Sequence, residues 1–355
     1  MVSASSPGGD GEVDDSVDRE ADAELAQPLD VAPVRSTHGV PASPVAAMLP
    51  GHRAGGVLLA VFGAIAFSGK AIIVKLAYRY QVDAITLLAL RMVVALPFFL
   101  LMAAWAWRTL PPLARGDRWR IALLGGLGYY LASFLDFAGL AYVTATLERL
   151  ILYLNPTLVL LIGVLFLGRS VSRTQLVALA LSYAGVVLAV AHDLDVGGSN
   201  VALGSLLVFG SALSYALYLI GSGEVVERVG AVRLTAYAST VACALCIGQF
   251  LLLRPLDGLA SLAPQVFALS LLNGTVCTVL PVLAVMMAVA RIGSAQAAQI
   301  GMLGPVSTIV LSVFLLGEPM GPWQVAGTVL VLLGVFLVGR GPTKSGRQAV
   351  RKRSA

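Results

Sequence analysis

Five ionisable residues, Lys70, Arg91, Asp136, Glu148 and Arg149, stand in or at the edge of strongly apolar sequence. A charge at bilayer depth costs about 2.5–3.5 kcal/mol on insertion scales, so each needs an ionic partner or a watery cavity. At 1.5 Å rise per helical residue, Lys70 lies about 22 Å up from the inner start of its segment, Asp136 about 24 Å up, and Arg91 roughly 10 Å below the outer surface. Glu148 and Arg149 open the next apolar segment near the same side, so all five share one depth band. Such a cluster can bind a polar or zwitterionic solute, gate a cavity or carry a coupling proton. It can also be structural, with Lys70 or Arg91 paired to Asp136 or Glu148 and Lys70 snorkelling outward. Glu148 is the leading functional candidate, because an acid in a cavity can titrate.

Helical spacing adds neutral residues to the same region. Glu148 and Asn155 share one stripe, and Arg149, Tyr153 and Pro156 form the stripe beside it. Pro156 and Pro305 each free a backbone carbonyl, a group tolerated in a membrane only against protein or water, so both segments are expected to line a central path. Tyr129, Tyr130, Ser133, Tyr215, Tyr218, Asn273, Gln296 and Gln299 could face that path, although most such groups in membrane helices only bond across helix interfaces. Cys243 and Cys246 have C-x-x-C spacing but no companion Cys or His, so they and Cys277 read as packing residues. His38, His52 and His192 are scattered in tails or loops. No metal and no cofactor are expected, and no Walker-type phosphate loop is present, which argues against ATP as direct fuel.

The elements that position these residues follow from composition. Of 355 residues, 58% are hydrophobic and 12% charged, against roughly 25% charged in a soluble domain. A soluble core cannot hide that much apolar surface, and segments apolar on all sides are helices rather than barrel strands. About ten spans are expected, at Gly55–Leu76, Ala84–Trp107, Arg120–Ala141, Thr146–Leu167, Gln175–Ala191, Ala202–Ile220, Leu234–Leu253, Gln265–Ala288, Ser294–Leu316 and Trp323–Val338. Residues 1–50 form an acidic, disordered tail without a secretory signal. Residues 341–355 form a basic tail that can touch anionic lipid.

Counting Lys and Arg near span ends gives the orientation. With the amino terminus inside, the inner segments hold Arg53, Arg108, Arg115, Arg118, Arg120, Arg169, Arg173, Arg228, Arg233, Arg291 and the basic tail; the outer ones hold little beyond Lys75, Arg79 and Arg254. The expectation is a multi-pass protein of a bacterial-type inner membrane with both termini cytoplasmic.

The chain also repeats. Asn155-Pro156, Leu167-Gly168, Gln175, Gly185 and Val186 are answered at one constant offset by Gly304-Pro305, Leu316-Gly317, Gln324, Gly334 and Val335, and Phe62-Gly63 is answered by Phe209-Gly210 at nearly the same separation. A unit with an odd number of spans inserts its second copy upside down. The cationic turn at Arg169 and Arg173 against the cation-free turn Gly317–Pro322 agrees with that inversion. The all-α fold expected is two inverted repeats of five spans, at 55–191 and 200–340. Charge breaks the symmetry, since Ala297 and Ala298 answer Glu148 and Arg149.

In these motifs the chain resembles the EamA type of the drug/metabolite transporter superfamily. The resemblance covers roughly Gly55 to Arg340 and rests on the proline helix ending in Leu316-Gly317-Glu318 and on Ser214-Tyr215-Ala216-Leu217-Tyr218. The first half departs from it, with Gly168-Arg169 where Gly-Glu is usual. Small four-span relatives use an acid in the first span for proton and drug exchange; here Lys70 is the only charge deep in that span, so the mechanism does not carry over. The resemblance implies a non-enzymatic secondary transporter or efflux protein that moves a small metabolite or drug-like, possibly amino-acid-like, solute by alternating access. Its partners would be that solute, lipid and a coupling proton or ion, with no nucleic acid. The alternatives are a non-transporting membrane sensor or assembly partner using the acidic tail, and an intramembrane enzyme, for which no His/Asp or Ser/Lys constellation is visible.

Overall fold

The computed structural model describes residues 50–168, 172–197, 199–301 and 303–340. The acidic tail up to residue 49, the basic tail from 341 and Arg169 lie outside the described residues. The helices in chain order are α1 (Pro50–Tyr78), α2 (Ala84–Thr109), α3 (Arg115–Gly125), α4 (Ala132–Leu140), α5 (Ala145–Leu152), α6 (Asn155–Leu167) and α7 (Arg173–Gly197). They continue as α8 (Ser199–Val229), α9 (Ala231–Leu253), α10 (Pro264–Gly274), α11 (Leu280–Ile292), α12 (Ser294–Gly301), α13 (Leu303–Leu311) and α14 (Pro322–Arg340). No strand occurs among the described residues.

Eight helical stretches are long and apolar enough to cross a membrane, and Val306–Leu316 and Pro322–Leu337 are shorter apolar helices. Several expected spans are jointed. α3 and α4 are joined by a π-turn, Gly126–Leu131, and α10 and α11 by another, Thr275–Val279. A π-turn shifts the backbone hydrogen-bond register by one residue and leaves carbonyls needing other donors. Ser214 Oγ donates to the Leu127 carbonyl at 2.8 Å and Ser211 Oγ to that of Ala132 at 2.7 Å. Thr278 Oγ1 donates to the Asn273 carbonyl at 2.8 Å. The break between α5 and α6 falls at Tyr153–Leu154, just before Pro156, which has no N–H to offer the Leu152 carbonyl. The expected sixth span ends at Ile220, yet α8 runs on to Val229, because Gly221, Ser222, Gly223 and Glu224 lower the hydropathy without stopping the helix.

Long side chains such as Leu252, Phe314 and Phe166 stand outward, at least 80% exposed, as expected where lipid is the solvent. Hydrocarbon gives helices little reason to associate, so close backbone packing must hold them. The helices pair α1 with α11, α2 with α9, α4 with α8 and α7 with α14. The α7–α14 crossing is close on both sides, since a Cβ on Gly185 would sit 2.6 Å from the Gly327 carbonyl oxygen, and one on Gly327 2.7 Å from that of Gly185. Gly125 and Gly128 are likewise pressed against Ala238 and Tyr218, while Gly126 has ordinary room. One buried cluster gathers Leu87, Leu88, Met92, Phe137 and Leu140 with Cys243 and Cys246; a second gathers Leu147, Leu150, Leu154 and Leu158 with Val208, Ala212 and Val331. The three cysteines are buried free thiols, with Cys243 Sγ 3.7 Å from Met92 Sδ.

Candidate functional site

Three joints in the helices, the π-turns at Gly126–Leu131 and Thr275–Val279 and the break before Pro156, contribute to a cavity of about 530 Å³. Its wall carries Lys70 from α1, Arg91 from α2, Asp136 from α4, and Arg149, Tyr153, Asn155 and Pro156 from α5 and α6. The lining also takes Ser211 and Tyr215 from α8, Ser239 from α9, Thr278 from the second π-turn, Val285 from α11 and Gly304 from α13. Phe67, Met92, Phe99 and Val282 complete a largely apolar lining.

All five charged side chains converge here, each no more than 7% exposed. Lys70 Nζ donates to Asp136 Oδ2 at 2.5 Å and lies 3.9 Å from Glu148 Oε1. Arg149 Nε lies 3.5 Å from Glu148 Oε2. Glu148 is wholly buried and does not line the cavity, but it neighbours Lys70, Asp136 and Arg149, which do. Arg91 has no acidic partner of its own among the described residues: its Nε donates to Thr278 Oγ1 at 2.9 Å, and its guanidinium lies 5.2 Å from the Phe137 ring centre. Arg91 Nη1, Arg149 Nε and Nη2, Asp136 Oδ1, both Glu148 oxygens and Asn155 Oδ1 are buried without a hydrogen bond. Apart from Glu148, these atoms belong to residues that line the cavity, and so many unmet polar atoms around it mark a place built to meet something polar.

The other candidates divide. Tyr129, Ser133 and Tyr215 line the cavity; Tyr218 stands behind Tyr129, with hydroxyls 3.2 Å apart. Tyr130, Asn273 and Gln296 do not line it. Asn273 is fully buried, and its side-chain amide meets no partner. Pro305 and Gln299 lie in α13 and α12, with side chains outside the described residues.

Sequence reasoning passed over Ser68 and Glu318. Ser68 Oγ donates to the Gly304 carbonyl at 2.5 Å, tying α1 to α13 beside the cavity. Glu318 caps the start of α5: its carboxylate accepts from the Ala145 amide at 2.7 Å and from the Thr146 amide and hydroxyl at 3.1 Å each. A carboxylate at a helix N-terminus satisfies orphan amides and complements the helix dipole. The Leu-Gly-Glu motif was the visible signal, but its target across the fold was not.

A helical membrane protein with a charged cavity in its interior is the class these features define. Within that class, the profile of the EamA-like transporter family matches residues 54–191 and again 202–340, and the chain belongs to this family. The uncharacterized transporter YcbK of Bacillus subtilis is 30% identical over 80% of this chain and 91% of its own length. The uncharacterized transporter YvbV of the same organism is 28% identical over 65% of this chain and 74% of its own length. A solved crystal structure superposes with a TM-score of 0.54 over 80% of this chain and 96% of that one, at 17% identity, a likeness of fold.

Proposed function

We propose that the protein is a secondary transporter whose ten spans form two inverted repeats and which moves a small solute by alternating access. One observation carries this reading above the others: the charged cavity is walled by residues from both regions that match the family profile. A site shared between two repeats can open to either face as the repeats rock.

The repeat arrangement has its own support. Under the constant offset, the α1–α11 pairing maps onto the α8–α4 pairing, while α2–α9 and α7–α14 map onto themselves. That is the contact pattern of a two-fold relation between copies. Gly168 and Gly317, which answer each other, both end their helices with positive φ, 60° and 68°. The Glu318 cap joins the second repeat to the start of α5, and its counterpart in sequence is Arg169. In the rocking scheme Glu318 is therefore a latch on the outer face with no acidic equivalent on the inner one. Both termini lie in the cytoplasm, following the cation count.

Purified protein in liposomes tests transport. Gradient-dependent uptake or counterflow of at least one solute from a panel of organic anions, amino acids, nucleosides and cationic drugs is expected; protein-free rates for all of them would end the reading. Cysteine labelling tests the inversion, with S172C reacting from the cytoplasmic face and M320C from the other. Labelling of both from one face would refute it.

A further inference from the structure

Three cations, Lys70, Arg91 and Arg149, share this cavity region with two carboxylates, Asp136 and Glu148. With every group ionised the surplus is one positive charge, and a proton held between the carboxylates raises it to two. Protonation of the acids therefore cannot remove the surplus. Inside a low-dielectric wall such a field reaches across the whole cavity.

The cations are not equally committed. Lys70 is held by Asp136 at 2.5 Å. Arg91 uses Nε on a neutral hydroxyl and leaves Nη1 unmet; Arg149 has an acid near Nε yet makes no hydrogen bond through Nε or Nη2. Both arginines are among the residues that line the cavity. A buried, unmet N–H is expensive, and the planar guanidinium fork matches a carboxylate in both charge and shape. Phe67, Met92, Phe99 and Val282 offer an apolar enclosure for the remainder of a ligand.

Resting on the transport reading, we infer that the solute is net-anionic: a monocarboxylate with an apolar body, its head group held by Arg91 and Arg149. A monocarboxylate cancels the surplus of the fully ionised cluster. A zwitterion leaves the surplus in place, although its ammonium could reach for the unmet Asp136 Oδ1. An amine adds to the surplus.

Three probes on one skeleton separate these cases: 3-phenylpropanoate, phenylalanine and phenethylamine. With the full chain in lipid nanodiscs, equilibrium binding of the anion is expected to be about tenfold or more tighter than that of phenylalanine, a difference of about 1.4 kcal/mol or more, with the amine weakest. Arg91→Gln and Arg149→Gln should each weaken anion binding by about tenfold or more and narrow its preference over phenylalanine. Arg91→Lys and Arg149→Lys, which keep the charge and lose the fork, should recover part of it and report on the site even where a Gln variant folds poorly. Phenylalanine or phenethylamine binding as tightly as the anion, or no anion binding at millimolar concentration, overturns the inference. Liposome flux of other solutes without anion preference would sink the anion and leave transport standing. Anion binding without flux of any solute would do the reverse.

Discussion

The two halves of the chain match one family profile yet spend their buried positions differently. The first half puts Lys70, Asp136, Glu148 and Arg149 into one ionic cluster. At the answering places the second half has Leu219, Val285, Ala297 and Ala298. Asp136 and Val285 even line the same cavity. A duplicated scaffold needs symmetric packing, and the glycine-tight α7–α14 crossing supplies it. On the proposed transport reading a solute would occupy one site, so the costly charges would need to be present only once.

The sharpest break of this comparison is the pair Asp136→Ala and Val285→Ala. Losing Asp136 leaves Lys70 buried with Glu148 at 3.9 Å as its nearest acid, and breaking a buried pair by removing one partner costs about 3–5 kcal/mol. Val285, 42% exposed, should cost about 0.5 kcal/mol. Equal losses of thermal stability in detergent would show that the cluster is not what distinguishes the halves. Next comes Glu148→Gln, which neutralises the wholly buried acid. Transport is expected to fall by about tenfold or more, or to lose its pH dependence; unchanged flux between pH 5.5 and 8 would assign Glu148 to structure alone.

Smaller effects test the places where one half reaches into the other. Glu318→Ala removes the α5 cap and should lower stability by about 1–2 kcal/mol, with Glu318→Gln recovering part of it; a full-strength Ala variant would deny the latch. Asp83, between α1 and α2, accepts from the Ile85 and Thr86 amides and from the Thr86 hydroxyl, and pairs with Arg254 at 3.2 Å. Burial works against its charged form, but the Thr86 bonds and Arg254 outweigh it and hold the carboxyl below its usual range. Its contribution is therefore complete above the ordinary aspartate value and disappears as pH falls through the lowered folded value. Asp83→Asn should cost under about 1 kcal/mol near neutrality, the site being part-exposed, and the difference from wild type should shrink as the pH of the melts falls below the ordinary aspartate value.

Much of this was legible in the sequence. Long Leu, Val and Ala runs mark membrane helices, because no soluble packing accommodates them. Matched depth also brings together Lys70, Asp136, Glu148, Arg149 and Arg91. What depth cannot give is azimuth, and Arg91 illustrates the point. It turns to Thr278 rather than to an acid, because the π-turn at Thr275–Val279 presents that hydroxyl. No proline announces the π-turn at Gly126–Leu131, where the carbonyls of Leu127 and the adjoining Ala132 take donors from Ser214 and Ser211 of a neighbouring helix; the one at Thr275–Val279 stands just before Pro281. Glu318 was visible as part of a motif, but its partners lie more than 170 residues earlier in the chain, a separation that periodicity does not read.

The crossing of Gly185 against Gly327 has a consequence for how the protein is made. α7 is synthesised and released into the bilayer before its main partner α14 exists, so its bare glycine groove must wait for the rest of the chain. At about 5–20 residues per second the wait is on the order of ten seconds. During that time the nascent protein depends on lipid or a membrane chaperone to shield the groove. Premature termination before Pro322 would leave the groove empty for good and mark the product for quality-control proteolysis.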